Sequence, residues 1–178
     1  EPYRVEGKKT IGFELAEAFN WELPDVIVYP TGGGTGLVGM WKAFNELEAL
    51  GWIGPERPRM ISVQALGCAP VVYAIQHNLP RLKPWPDPQT IAPGIQVPMA
   101  FADRMILSTI RESGGTAVAV SDQAIMQAQD QLAQLEGIFG GPETAASLAG
   151  LKVLLHDELI DPSERVVVFN TATGLKYT

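Results

Sequence analysis

Five glycines fall within residues 32–39, directly after the apolar run Val26-Ile27-Val28-Tyr29 and at the head of a helical pattern. Glycine admits positive φ, so such a turn can aim several backbone N–H groups at one centre, and the helix behind it adds the positive end of its dipole. Strand, glycine turn and helix in that order make a seat for a phosphate. Three readings are open. Gly34-Thr35-Gly36-Leu37-Val38-Gly39 fits the G-x-G-x-x-G of dinucleotide sites. However, Pro30-Thr31-Gly32-Gly33 part its first glycine from the strand, and the next strand ends Val63-Gln64-Ala65-Leu66 without an acid for a ribose. A turn that only lets helix and strand pack closely accounts for one or two of these glycines. The third reading, the phosphate of a single cofactor or substrate, is the one the pattern favours. A Walker A loop is excluded, because no G-K-[ST] follows.

The elements that must hold this turn can be read on either side of it. Ile11, Leu15, Ala18 and Phe19 recur at helical spacing, and Pro24-Asp25 stops that helix before a buried strand over Val26–Tyr29. Gly36–Leu50 is the clearest helix, with Leu37, Met40, Trp41, Phe44 and Leu47 on one face and Lys42, Asn45 and Glu46 opposite. A second strand over Met60–Ala65 and a helix over Cys68–Asn78 repeat the unit, the pattern of a parallel sheet. Six prolines in 79–98 bar helix and central strand, and predict an ordered surface excursion that could serve as an oligomer arm. Regular structure resumes with a helix over Ala102–Glu112, a strand over Thr116–Val120 and a helix capped by Ser121-Asp122. A helix with Pro142 at N1 then runs to His156, and Val166–Phe169 is a last strand. The expected fold is a three-layer αβα domain with a mainly parallel sheet, and residues 1–178 read as a single α/β domain.

Composition narrows the function classes. With 20 acidic against 13 basic side chains the net charge is −7, which argues against a nucleic-acid surface. A single cysteine, Cys68, and two histidines, His77 and His156, leave no disulfide framework or metal cluster, and point to a reducing, cytoplasmic setting. No apolar run approaches the roughly 18–20 residues of a membrane span. The opening Glu1-Pro2-Tyr3-Arg4 has neither an initiator Met nor a signal-peptide pattern, so the chain is expected to be a piece of a longer one.

Four segments together carry a family likeness: Arg4-Val5-Glu6-Gly7-Lys8-Lys9-Thr10, Pro30-Thr31-Gly32-Gly33-Gly34-Thr35-Gly36-Leu37, Gly67-Cys68-Ala69-Pro70 and Asn170-Thr171-Ala172-Thr173-Gly174-Leu175-Lys176. Nearly end to end, the chain resembles the threonine synthase branch of the tryptophan-synthase-β-like, fold type II pyridoxal-phosphate enzymes. The resemblance implies a cofactor, pyridoxal 5′-phosphate, whose phosphate rests on the amides of Gly32, Gly33, Gly34, Thr35 and Gly36. It implies that Thr171 faces the pyridine nitrogen and that Arg4 binds the phosphate of the amino-acid substrate O-phosphohomoserine. The implied reaction is γ-elimination of phosphate followed by β-addition of water. A threonine or serine dehydratase of the same superfamily is the alternative enzyme, and a catalytically silent domain the alternative of another class.

The other candidates each carry a plainer reading. Thr171 could merely cap a turn at a strand end, and Arg4 could be an ordinary surface arginine. Lys8 and Lys9, expected at the start of a helix, are unfavourable to its dipole and read as a solvated pair. Glu143 reads as an acid helped by the dipole of its own helix, Cys68 as a buried helix-start residue, and the two histidines as helix C-terminal residues. Leu66 stands where close relatives often carry Glu. The lysines are Lys8, Lys9, Lys42, Lys83, Lys152 and Lys176. None lies in the S-x-K-x-R or F-K-x-R setting of the family's Schiff-base lysine, so no catalytic residue is assigned. The resemblance therefore implies the carboxyl-terminal, cofactor-phosphate portion of a longer enzyme, whose partner is its own amino-terminal portion and which forms a homo-oligomer at full length.

Overall fold

A computed structural model describes residues 2–177. Helix α1 (Pro2–Ala18) leads to strand β1 (Val26–Pro30) and helix α2 (Thr35–Ala49), then to β2 (Arg59–Ala65) and α3 (Pro70–Gln76). After a long irregular stretch come α4 (Asp103–Glu112), β3 (Ala117–Val120), α5 (Asp122–Glu136), α6 (Pro142–His156) and β4 (Val166–Val168). Helix starts follow the local chemistry. The Ser121 hydroxyl accepts from the Ala124 N–H at 3.1 Å, Pro142 opens α6, and Gly137 closes α5 at φ 68°.

All strand pairs are parallel, in the order β3-β2-β1-β4. Because the sheet carries near-continuous apolar strands, both faces must be covered. On one face Ile27, Tyr29 and Met60 pack with Leu37, Met40 and Phe44 of α2, Val71 of α3 and Ile106 and Ile110 of α4. On the other Val28, Ile61, Val63 and Val120 pack with Ile125 of α5 and Ala145, Ala146 and Leu154 of α6. The result is the three-layer αβα arrangement expected from the strand-helix alternation.

Strand order fixes where a ligand goes. The chain lays β1, β2 and β3 outward in one direction and then places β4 on the far side of β1, so the order reverses between β1 and β4. Open α/β sheets bind ligands outside the carboxyl ends of their strands at such a switch point. The glycine turn leaves the carboxyl end of β1, and Thr171 follows that of β4, paired alongside through Val28 and Val168.

Two expectations change. Helix α1 starts at Pro2 and not at Lys8 and Lys9, so Arg4 and Glu6 are helical and Lys8 and Lys9 lie inside the helix. Lys9 is not a solvated lysine: it pairs with Glu6 at 2.6 Å and Glu46 at 2.7 Å. Most of the stretch 79–98 is exposed, but Leu82, Ala92 and Ile95 are buried, which anchors it to the core. Its one short 3-10 turn, Pro93–Ile95, passes beside the glycine turn.

Helix α4 braces the glycine turn and is itself pinned at its start. Asp103 is buried, accepts from the Arg81 side chain at 2.6 Å and from the Arg104 N–H at 2.8 Å. Burial pushes this carboxyl up, but the bonds to Arg81 and the backbone outweigh it and hold it below the ordinary value. A folded value below the unfolded one stabilises above the ordinary carboxylate range of about 4 and is lost as pH falls through the depressed value. Asp103→Asn is therefore expected to cost about 1–2 kcal/mol at neutral pH, allowing for a half-exposed Arg81, and progressively less in acid. Thermal denaturation of both proteins from neutral pH down to about pH 2 checks this; a gap that does not narrow would count against it.

Candidate functional site

The turn between β1 and α2 is built around glycine for steric reasons. Gly34 caps α2 in the left-handed region at φ 77°. A Cβ on Gly32 would lie 2.5 Å from the Gly94 carbonyl oxygen, and one on Gly36 2.0 Å from the Tyr29 hydroxyl. At Gly33 a Cβ would meet nothing within 4 Å, so that residue opens on space. The start of the turn is fixed by buried polar bonds: the Thr31 N–H donates to the Val63 carbonyl at 2.8 Å, and the Gln64 amide donates to the Thr31 carbonyl at 3.0 Å.

Among the described residues, the backbone N–H groups of Gly32, Gly33, Gly34, Thr35 and Gly36 donate no hydrogen bond, whereas the Val38 N–H donates to Gly34 at 3.0 Å. Five unused donors at a helix start form a fixed positive field with room at Gly33 for the group that fills it. A phosphate monoester fits this cradle in charge and in donor number.

A cavity of about 760 Å³ opens on the turn at Gly33 and Thr35. Arg4, Val5 and Glu6 at the start of α1 also line it, with Lys42 of α2 and Phe101 and Met105. The start of α1 reaches the cleft because α1 and α2 cross closely through small residues. A Cβ on Gly12 would stand 2.7 Å from that of Ala43, and one on Gly39 2.9 Å from that of Lys8. Arg4, Gly33 and Thr35, separated in the sequence, thus line one cleft.

Thr171 does not line that cleft but stands at the same edge of the sheet. It is exposed, and its hydroxyl makes no hydrogen bond among the described residues. The segment is oriented from behind: the Thr171 N–H donates to the Thr144 hydroxyl at 3.2 Å, and that hydroxyl donates to Asn170 at 2.9 Å. Next to Thr144 in α6, the buried Glu143 carboxylate accepts from the Gly94 N–H and from the Tyr177 hydroxyl, both at 2.7 Å. Glu143 therefore ties the stretch under the turn to the terminal segment. Burial first, then the bond to this carboxylate, push the Tyr177 phenol up to about 12.

The remaining candidates sit apart from the cleft. Burial pushes the Cys68 thiol up, against a smaller opposing effect of a Val97 backbone bond, and so disfavours a thiolate. His77 caps α3, stacks on Tyr73 at 4.0 Å and bonds its carbonyl, while His156 ends α6. Leu66 is exposed. Among the described residues there is no group of three or more His, Cys, Asp or Glu that could hold a metal, and no helix is long and apolar enough to cross a membrane. Sequence reading missed Lys42 and Glu6 as cleft residues, and Glu143, Thr144 and Asn170 as the support of Thr171.

The family described as pyridoxal-phosphate dependent enzyme matches residues 1–172. The threonine synthase of Methanocaldococcus jannaschii is 42% identical over 175 residues, covering 98% of this chain and 43% of the relative. That of Methanosarcina acetivorans is 43% identical with the same coverage, and that of Mycobacterium tuberculosis 34% identical, covering 98% of this chain and 46% of the relative. The chain thus spans somewhat less than half the length of these curated relatives. Among solved structures, an L-serine ammonia-lyase from Rhizomucor miehei superimposes with a TM-score of 0.77 at 20% identity, over 97% of this chain and 55% of that one. The processed form of threonine deaminase isoform 2 from Solanum lycopersicum gives 0.73 at 18% identity, over 95% of this chain and 45% of that one. Both share the fold.

Proposed function

From the fact that this chain belongs to the pyridoxal-phosphate dependent enzymes, we propose that it is the cofactor-phosphate portion of a larger threonine synthase, which converts O-phosphohomoserine and water to threonine and phosphate. The observation that carries the reading is the cleft that Arg4 lines together with Gly33 and Thr35. It offers one anion seat on backbone amides and a second charge in the same cleft, as an enzyme with a phosphorylated cofactor and a phosphorylated substrate needs. The identity to threonine synthases, above 40% over almost the whole chain, supports the same choice.

The residues divide the work by their chemistry. The amides of Gly32–Gly36 bind a dianion without a cation and cannot titrate away. The Thr171 hydroxyl, held by the Thr144 bond to its backbone, is a neutral donor or acceptor for the pyridine nitrogen. Arg4 supplies a planar fork of donors for the substrate's phosphate. When bound, the cofactor supplies the electron sink that elimination and replacement at the β and γ carbons require.

The deciding residue is Arg4, because a dehydratase acting on threonine or serine has no substrate phosphate to hold. Arg4→Ala in the full-length enzyme is expected to raise KM for O-phosphohomoserine by about tenfold, the loss of one exposed charge-assisted contact, with the cofactor's absorption unchanged. Steady-state release of inorganic phosphate measures it. Turnover of threonine to an oxo acid by the parent enzyme, with no phosphate released from O-phosphohomoserine, would overturn the assignment in favour of the dehydratase.

A further inference from the structure

The cleft holds a second cation that the reading above does not use. Lys42 and Arg4 line it together, and Glu6, two residues after Arg4 in α1, is the one carboxylate in its wall among the described residues. Lys42 is ion-paired to Glu6 and stands 3.8 Å from Glu46. Glu6 has another partner, Lys9, at 2.6 Å, and Lys9 is in turn held by Glu46 at 2.7 Å. The two lysines differ in setting: the Lys9 side chain is 15% exposed and that of Lys42 42%.

This asymmetry makes Lys42 the releasable member of the network. If an anion enters the cleft and draws Lys42 away, Glu6 keeps Lys9, Lys9 keeps Glu46, and no charge is left alone. We infer that Lys42 is a second phosphate-binding residue of the cleft and that Glu6 is a positioning residue which holds Lys42 in reserve and competes with the incoming anion. The inference rests on the cleft being the site of the substrate's phosphate. Its consequence is specificity: an amino acid without a phosphate cannot displace Glu6 from Lys42, so the pair favours a doubly charged group over a hydroxyl.

The probe is inorganic phosphate, titrated by phosphorus NMR into the full-length protein saturated with pyridoxal phosphate, whose own resonance is separate. At low salt, Lys42→Met is expected to weaken phosphate binding about fivefold and Glu6→Gln to tighten it about threefold, the scale of half-exposed charge pairs. Lys42→Arg should bind like the parent, and Glu6→Gln should change nothing when Lys42 is already Met. A merely structural pair gives a different pattern, in which Glu6→Gln and Lys42→Met weaken binding alike; that result, or an unaltered Lys42→Met, overturns the inference. Arg4→Ala separates the two levels. If it abolishes binding while the Lys42 and Glu6 variants bind like the parent, this inference alone fails; if the parent protein binds no phosphate, the reading of the cleft fails with it.

Discussion

Gly32→Ala is expected to destabilise the protein by about 2–3 kcal/mol and to weaken pyridoxal phosphate binding at least tenfold. The added methyl carbon would sit 2.5 Å from the Gly94 carbonyl oxygen, 3.0 Å from Val97 and 3.4 Å from the Ile95 Cα. The closest of these is backbone, so no rotamer change relieves it. Nor can Gly94 withdraw freely, because its N–H donates to the buried Glu143 at 2.7 Å. The turn must therefore move, and its amides lose their common aim; forfeiting one amide bond to a charged phosphate costs about 1.5–3 kcal/mol. Gly33→Ala is the control, since its methyl would meet nothing within 4 Å and should leave stability within about 0.5 kcal/mol. Urea unfolding gives the first quantity and titration of the cofactor's absorption the second. A Gly32→Ala protein as stable as Gly33→Ala would show that the Pro93–Ile95 turn does not brace the site.

What could be read in the sequence was whatever is local. The strand, the glycine turn and the helix after it lie within residues 26–49, and their period and turn chemistry are visible without the rest of the chain. The switch point was not visible, because strand order depends on where β4 lands after a long excursion, and nothing near Val166–Val168 encodes that it pairs with β1 and not β3. Periodicity places Lys42 on the polar face of α2 and says no more of it. That face is covered at one end by the close crossing of α1, set by Gly12 and Gly39, which carries Glu6 to it. The pairing of Lys9 escapes the sequence for a related reason: the helix starts earlier than its apolar period, since Arg4 to Lys9 leave only Val5 buried, while Lys8 is exposed as its sequence setting suggests. Glu143 could be taken only for an acid at a helix start. Its two partners come from residue 94 and residue 177, each far away in the chain.

Thr171→Val in the full-length enzyme is expected to leave fold and cofactor in place and to slow turnover by roughly 10- to 100-fold. Valine matches threonine in shape and in its preference for strand-like backbone. The contact that orients the segment uses the Thr171 main-chain N–H on the Thr144 hydroxyl at 3.2 Å, which the substitution keeps. What is removed is the hydroxyl, for which the pyridine nitrogen is the proposed partner. Leaving that acceptor unpaired in a closed site costs about 1–3 kcal/mol, and the loss reaches the rate to the extent that the ring draws charge in the transition state. Affinity for pyridoxal phosphate should fall less, since the amides of Gly32–Gly36 hold the other end independently. Thr171→Ser restores the hydroxyl and should recover most of the rate, which a purely structural role for the methyl group would not allow. Turnover and the cofactor's absorption maximum are measured on all three proteins. Parent-like turnover of Thr171→Val would remove Thr171 from the site and move the search for the ring's partner to Asn170 and Thr173, its neighbours in the same segment.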